Sequence, residues 1–114
     1  MDFLKLLESK TFIEEWVILD NRVWETGLYY KIRVTLKDES LFQASEYKDI
    51  KERSYSFHWQ DKEGKLIIRW DNAPHFKEIA TFPHHKHFID RVEESIEMTL
   101  ENALNAMEKM LENE

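Results

Sequence analysis

Four of the five histidines fall in one short polar stretch, at His75, His84, His85 and His87, beside Asp71, Asn72 and Lys86. The fifth, His58, lies upstream in a strand-like run. An unperturbed imidazole titrates at roughly 6.5, so it gives or takes protons near neutrality, and it is also the commonest metal ligand. Such clustering marks a chemical site, either acid-base or metal. Arg69 and Lys86 bring cations suited to phosphate, Arg through its planar fork and Lys as a point charge. Asp71 can orient an imidazole by accepting from one ring nitrogen. The candidate catalytic set is therefore His58, Arg69, Asp71, His75, His84, His85, Lys86 and His87.

Imidazoles whose surroundings split their pKa values serve as base and acid in one reaction. Here His85 or His87 would take one role and His58 or His75 the other. Metal-free RNA cleavage needs this equipment: one group removes the 2′-hydroxyl proton, another protonates the departing 5′-oxygen, and cations steady the phosphorane. A metal alternative uses His84 and His87, or His85 and His87, with Asp71 or His75 as further ligands. An i, i+2 pair on a strand puts two imidazoles on one face, as a tetrahedral site needs. The spacing matches no strong zinc signature, so the acid-base reading ranks first and no metal or cofactor is expected. There is no cysteine, no serine in a nucleophile elbow and no Gly-rich phosphate loop. Any one of these histidines taken alone reads as a solvated or structural side chain; four in one segment are harder to dismiss.

The elements that must position this segment belong to one domain, residues 1–114. At 42% hydrophobic and 13% aromatic residues the chain is globular in composition, and two Gly and two Pro leave no linker. Zero cysteines fit a reducing compartment. No apolar run approaches roughly 18 residues, and Met1 to Lys5 carry no basic leader. A soluble cytoplasmic protein is expected, with no membrane partner. The net charge of −7 is uneven: residues 65–91 hold five Lys/Arg against three Asp/Glu, whereas residues 92–114 hold one against seven. The histidine-rich segment is thus locally positive. An anion can approach it despite the acidic total, because local potential steers ligands more than net charge does.

Residues 2–9 place Phe3, Leu6 and Leu7 on one face of a short helix. Period-two runs follow. Phe12 to Leu19 reads as a strand that stops at Asp20-Asn21, and Leu28, Tyr30, Ile32, Val34 and Leu36 alternate with Tyr29, Lys31, Arg33 and Thr35. A tight turn over residues 37–40 leads into Leu41–Tyr47. Arg53–Gln60 and Leu66–Asp71 form a hairpin around Asp61–Gly64, where Gly64 is free to adopt positive φ. Trp59 and Trp70 fall on the apolar face as core, while Tyr29 on the polar face is the better candidate for stacking on RNA. Thr99 caps a C-terminal helix with Leu100, Ala103, Leu104, Met107 and Leu111 as its apolar stripe. Met107 and Met110 read as core.

Three further runs carry a resemblance: residues 55–61 (YSFHWQD), residues 69–75 (RWDNAPH) and residues 81–87 (TFPHHKH). With Gly64 and the helix opening Thr99 to Leu104, they resemble the TumE family of small toxin-antitoxin toxins. Position 76 departs from that family, holding Phe76 where a histidine is common. The resemblance implies a growth-inhibiting toxin acting on RNA and neutralised by a cognate helix-turn-helix antitoxin. It does not assign catalytic residues.

The resulting expectation is an α+β fold, an antiparallel meander of five to six strands with an N-terminal and a C-terminal helix on one face, forming a homodimer. The expected function is a metal-independent RNA endonuclease toxin. The rival is a non-catalytic or metal-binding interaction module whose partner docks on the histidine-rich segment.

Overall fold

The side chains that alternate along the sequence also alternate between two sides of one sheet. In a computed structural model describing residues 3–113, helix α1 (Phe3–Glu8) precedes seven strands and helix α2 (Leu100–Glu112) follows them. The strands are β1 (Ile13–Trp24), β2 (Gly27–Leu36), β3 (Leu41–Lys48), β4 (Arg53–Gln60), β5 (Leu66–Asp71), β6 (His85–His87) and β7 (Val92–Glu94). Each pairs antiparallel with its neighbour in sequence, giving the order β1-β2-β3-β4-β5-β6-β7. The expected meander with a helix at each end is present.

Two details differ from the sequence reading. Beyond the five strands expected from periodicity lie β6 and β7, three residues each, too short to display a period. β1 also continues past Asp20-Asn21, because Asn21 and Arg22 keep their pairing with Tyr30 and Tyr29, and the chain reverses only between Trp24 and Gly27. Backbone pairing overrides the local turn preference of Asp and Asn there. The expected helix over residues 2–9 is seen from Phe3; position 2 lies outside the described residues.

One face of the sheet is the core. Tyr30, Ile32, Val34, Leu36, Phe42, Ala44, Tyr55, Phe57, Trp59, Ile68 and Trp70 are buried there together with Leu7 of α1 and Leu100, Ala103, Leu104 and Met107 of α2. Burying each large apolar side chain contributes about 1.5–3 kcal/mol. The helix that covers this face starts at Thr99, whose hydroxyl accepts from the Asn102 N–H while the Asn102 side-chain oxygen accepts from the Thr99 N–H. Lys10 ties the end of α1 to α2 through Asn105 and Glu108.

The turns follow their chemistry. Gly64 has φ 86°, and Glu39, at φ 71°, occupies the left-handed region in the turn over residues 37–40. Asp38 stabilises that turn by accepting from the Ser40 N–H, and Ser40 in turn accepts the Trp59 indole N–H at 2.9 Å. Gly27 is required for a different reason: a Cβ there would stand 2.1 Å from the Lys48 carbonyl oxygen. Among the described residues no helix lies over the other face of the sheet, and apart from the buried Asp71 and His85 the polar residues of β2 to β6 are at least partly open on that side.

Two substitutions separate these contributions. Leu104→Ala should cost about 3 kcal/mol through cavity formation in the core, read as a lower urea midpoint. Gly27→Ala should also destabilise measurably by forcing β2 and β3 apart at one end, whereas Val17→Ala on the exposed strand β1 should change stability by less than about 0.5 kcal/mol.

Candidate active site

The open face carries the candidate groups because the strand period delivers them there. Arg69 and Asp71 are two apart on β5, and His85 and His87 are two apart on β6, so each pair shares a face. The β5-β6 register sets Arg69 opposite His87 and Asp71 opposite His85. Four of the eight candidate residues are thereby brought into direct contact.

Asp71 is the centre of the group. Only 5% of it is exposed, and it accepts from the Ala73 N–H through Oδ1 at 3.0 Å and from Arg69 Nε through Oδ2 at 3.1 Å. His87 Nε2 stands 3.4 Å from Oδ2, and His85 Nε2 stands 2.9 Å from Oδ1. This last separation is that of a hydrogen bond, but the direction is wrong for one, and Nε2 has no hydrogen-bond partner. The opposite ring nitrogen, Nδ1, lies 2.9 Å from the Pro83 carbonyl oxygen. A carbonyl oxygen only accepts, so Nδ1 carries a proton.

Phe76 walls the group, with its ring edge-on to both imidazoles, 4.9 Å from His85 and 5.5 Å from His87. Both imidazoles line the cleft, His85 almost wholly buried at 1% exposed and His87 partly exposed. Burial pulls the His87 imidazole below its ordinary pKa, overcoming the upward pull of the Asp71 carboxylate, with His85 and Arg69 reinforcing the downward shift.

The cleft has a volume of 520 Å³, in the range of small-ligand sites. Tyr29, Tyr47, Ser45 and Ser56 form its floor, Arg69, Asp71 and His87 one end, and His75 with Phe76 its rim. A second depression of 330 Å³ adjoins it, lined by Lys31, Gln43, His58 and Gln60. Arg69, Ser45 and Ser56 border both, so the two make one trough across the face. His58 bonds Gln60 Oε1 at 3.0 Å, and its Nδ1 lies 3.4 Å from Arg69 Nη1. Arg69 thus stands between the His58 end and the Asp71 end.

The segment between β5 and β6 is held by side chains that substitute for strand partners. Asn72 accepts from the Tyr55 N–H and donates to the Arg53 carbonyl, extending the β4-β5 ladder by one rung. Thr81 donates to the His84 carbonyl and accepts from the Ser95 N–H. The Phe82-Pro83 peptide is cis. These anchors place Pro83 and Phe76 where they meet His85.

His84 and Lys86 lie on the opposite side of the sheet from this group. The His84 ring stacks on Tyr55, with Nδ1 2.8 Å from the tyrosine hydroxyl, which also accepts the Met98 N–H. Lys86 pairs with Trp70 in the register, and its ammonium lies 6.0 Å from the ring of Phe88, which packs against the core. The sequence reading missed Phe76, Tyr47, Ser45 and Ser56 as cleft residues. The three on β3 and β4 were recoverable from the same alternation that singled out His58; Phe76 was not, since it lies on an irregular segment.

Tyr55→Phe removes the hydroxyl shared by His84 and the Met98 N–H. It should lower stability by about 1–3 kcal/mol while leaving the Asp71-His85-His87 geometry unchanged, as urea unfolding and imidazole NMR shifts would record.

Against known proteins, no curated protein and no solved structure matches the chain. A family model described as Toxin TumE matches residues 3–113, nearly the entire chain and all of the elements that build the trough. The three runs that resembled this family are the β4 strand, the β5 strand with its exit turn, and the anchored approach to β6, so the resemblance falls on the parts that make the site. The chain belongs to the TumE family of toxins.

Proposed function

We propose that this toxin is an RNA endonuclease whose centre is the contact group Arg69, Asp71, His85 and His87. The observation that carries the reading is the convergence of a guanidinium, a buried carboxylate and two imidazoles at one end of an open trough. Arg69 supplies the phosphate clamp. It is the one cation of the group, and its planar fork suits two phosphate oxygens. The Asp71-His85-His87 cluster, with Asp71 on the same strand and the two imidazoles across the β5-β6 pairing, handles the reacting hydroxyl. His75 and His58 flank the group on either side along the trough, as partners in proton transfer or in holding the strand.

The substrate class follows from the trough's walls. Tyr29 and Tyr47 on the floor and Phe76 on the rim offer aromatic faces for unpaired bases, which stack without regard to sequence. Lys31 and Arg33 are exposed on the same face and have no ion-pair partner among the described residues. Single-stranded RNA, with its phosphates, accessible bases and internal 2′-hydroxyl, uses each of these features. An antitoxin accompanies a toxin of this family; a helix-turn-helix protein that covers the trough or its approaches is the partner proposed here, and the toxin is proposed to act as a homodimer in the cytoplasm.

Purified protein should cleave a labelled single-stranded RNA, and its expression should arrest growth. His87→Ala and Arg69→Ala should each reduce cleavage by about 100-fold or more and relieve the arrest. His84→Ala, remote from the trough, should retain cleavage wherever it remains folded. A folded His87→Ala protein with undiminished cleavage would remove the cluster from the mechanism. Growth arrest by a folded wild type that cleaves no RNA would favour the binding-module reading instead.

A further inference from the structure

The Asp71-His85-His87 cluster leaves a buried polar atom without a partner. His85 Nδ1 is engaged by the Pro83 carbonyl, so Nε2 is the ring atom left for a ligand. That Nε2 is buried, has no hydrogen-bond partner among the described residues, and stands 2.9 Å from a carboxylate oxygen. His87 Nε2 lies 3.4 Å from the other carboxylate oxygen, and one potential ligand atom from each of the three residues falls within 4.8 Å of the rest.

We propose that Asp71, His85 and His87 hold one divalent transition-metal cation of the zinc class. Two imidazoles and a carboxylate are a familiar donor set for zinc sites that keep a coordination position open. Bond lengths of about 2.0–2.1 Å with tetrahedral angles put neighbouring ligand atoms about 3.3 Å apart. The observed contacts, 2.9 Å from His85 to Oδ1 and 3.4 Å from His87 to Oδ2, are of that order but reach different carboxylate oxygens, so binding one ion requires the carboxylate to turn between the two imidazoles.

The supporting contacts are those a metal centre needs. A ligating imidazole is oriented when its other N–H is given to a carbonyl, as His85 gives its own to Pro83, and a ligating carboxylate is oriented by donors. Asp71 has two such donors, the Ala73 N–H and Arg69 Nε. Phe76 excludes water from the far side of both rings. Asp71, His85 and His87 all line the trough, so an ion held by them would be reached from it. If the nuclease reading holds, the ion's open position admits a water or a phosphate oxygen beside Arg69, in place of the metal-free proton transfer expected from the histidine count.

The decisive experiment titrates the chelator-treated full-length chain with zinc chloride by calorimetry and with cobalt chloride by visible absorption. One equivalent should bind with a dissociation constant in the micromolar range or below, and cobalt should give d-d bands of a nitrogen- and oxygen-ligated ion. His87→Ala and Asp71→Asn should each weaken binding by at least tenfold, with folding confirmed by circular dichroism. His87 is partly exposed, so its variant tests the site even if the buried His85→Ala does not fold. His75→Ala and His58→Ala should bind as the wild type does. Absence of one-to-one binding, binding unaffected by His87→Ala, or NMR evidence of a protonated His85 Nε2 at neutral pH in the metal-free and metal-treated protein alike would each overturn the proposal. RNA cleavage with and without EDTA separates the two readings. EDTA-resistant cleavage that needs His87 overturns the metal site and leaves the nuclease standing, whereas metal binding in a protein that cleaves no RNA sustains the site and removes the nuclease.

Discussion

Asp71 is a carboxylate withdrawn from water at the last position of β5, and the region around it is organised to make that withdrawal tolerable. An isolated buried charge costs far more than a folded domain of this size can spare, so partners must surround it. The Ala73 N–H supplies one by turning the chain immediately after the strand, and Arg69 supplies another from the same strand face. The remaining two neighbours arrive from β6, which pairs with β5 so that His85 and His87 flank the carboxylate. The exit turn, the return segment and the β5-β6 register are therefore consequences of one requirement. The anchors at Asn72 and Thr81 fix the irregular segment tightly enough for that register to be the one adopted.

The two faces of the sheet divide the hydrophobic core from the candidate site. The apolar face is covered by α2 and the end of α1, and it carries the hydrophobic free energy of the fold. The polar face contributes little burial outside the Asp71 group, and so is free to display serines, tyrosines and cations along a trough. Arg53 shows how the boundary is kept: paired with Glu46 and Glu97 and donating to the Met98 carbonyl, it fastens the sheet to the segment leading into α2. Polar residues on the covered side are each matched in this way, as Ser40 is by Trp59 and Tyr30 by Glu46.

Much of this was readable from period alone. The alternation from Leu28 to Leu36 assigned both faces correctly, and Thr99 with the Leu100, Ala103, Leu104 and Met107 stripe placed the covering helix. Arg69 and Asp71 followed from the same parity on β5. The parity of the histidines did not, because His84, His85, Lys86 and His87 follow an irregular segment, and a shift of one residue would have exchanged His85 and His87 for His84 and Lys86. Side-chain bonds from Asn72 and Thr81 decide that parity, and such long-range bonds leave no periodic trace. The overrun of β1 past Asp20-Asn21 has the same origin, since ladder pairing with β2 outweighs a local preference.

A meander in which every strand pairs with its sequence neighbour can assemble in chain order, with short loops to close and little entropy lost at each step. The first four strands can pair while the rest of the chain is still emerging, yet none of the Asp71 group lies within them. Arg69, Asp71, His85 and His87 meet only when β6 docks, and the apolar face beneath them is covered only when α2 arrives. Assembly of the Asp71 group is thus deferred to the closing steps of folding, and a partly synthesised chain carries the scaffold without it.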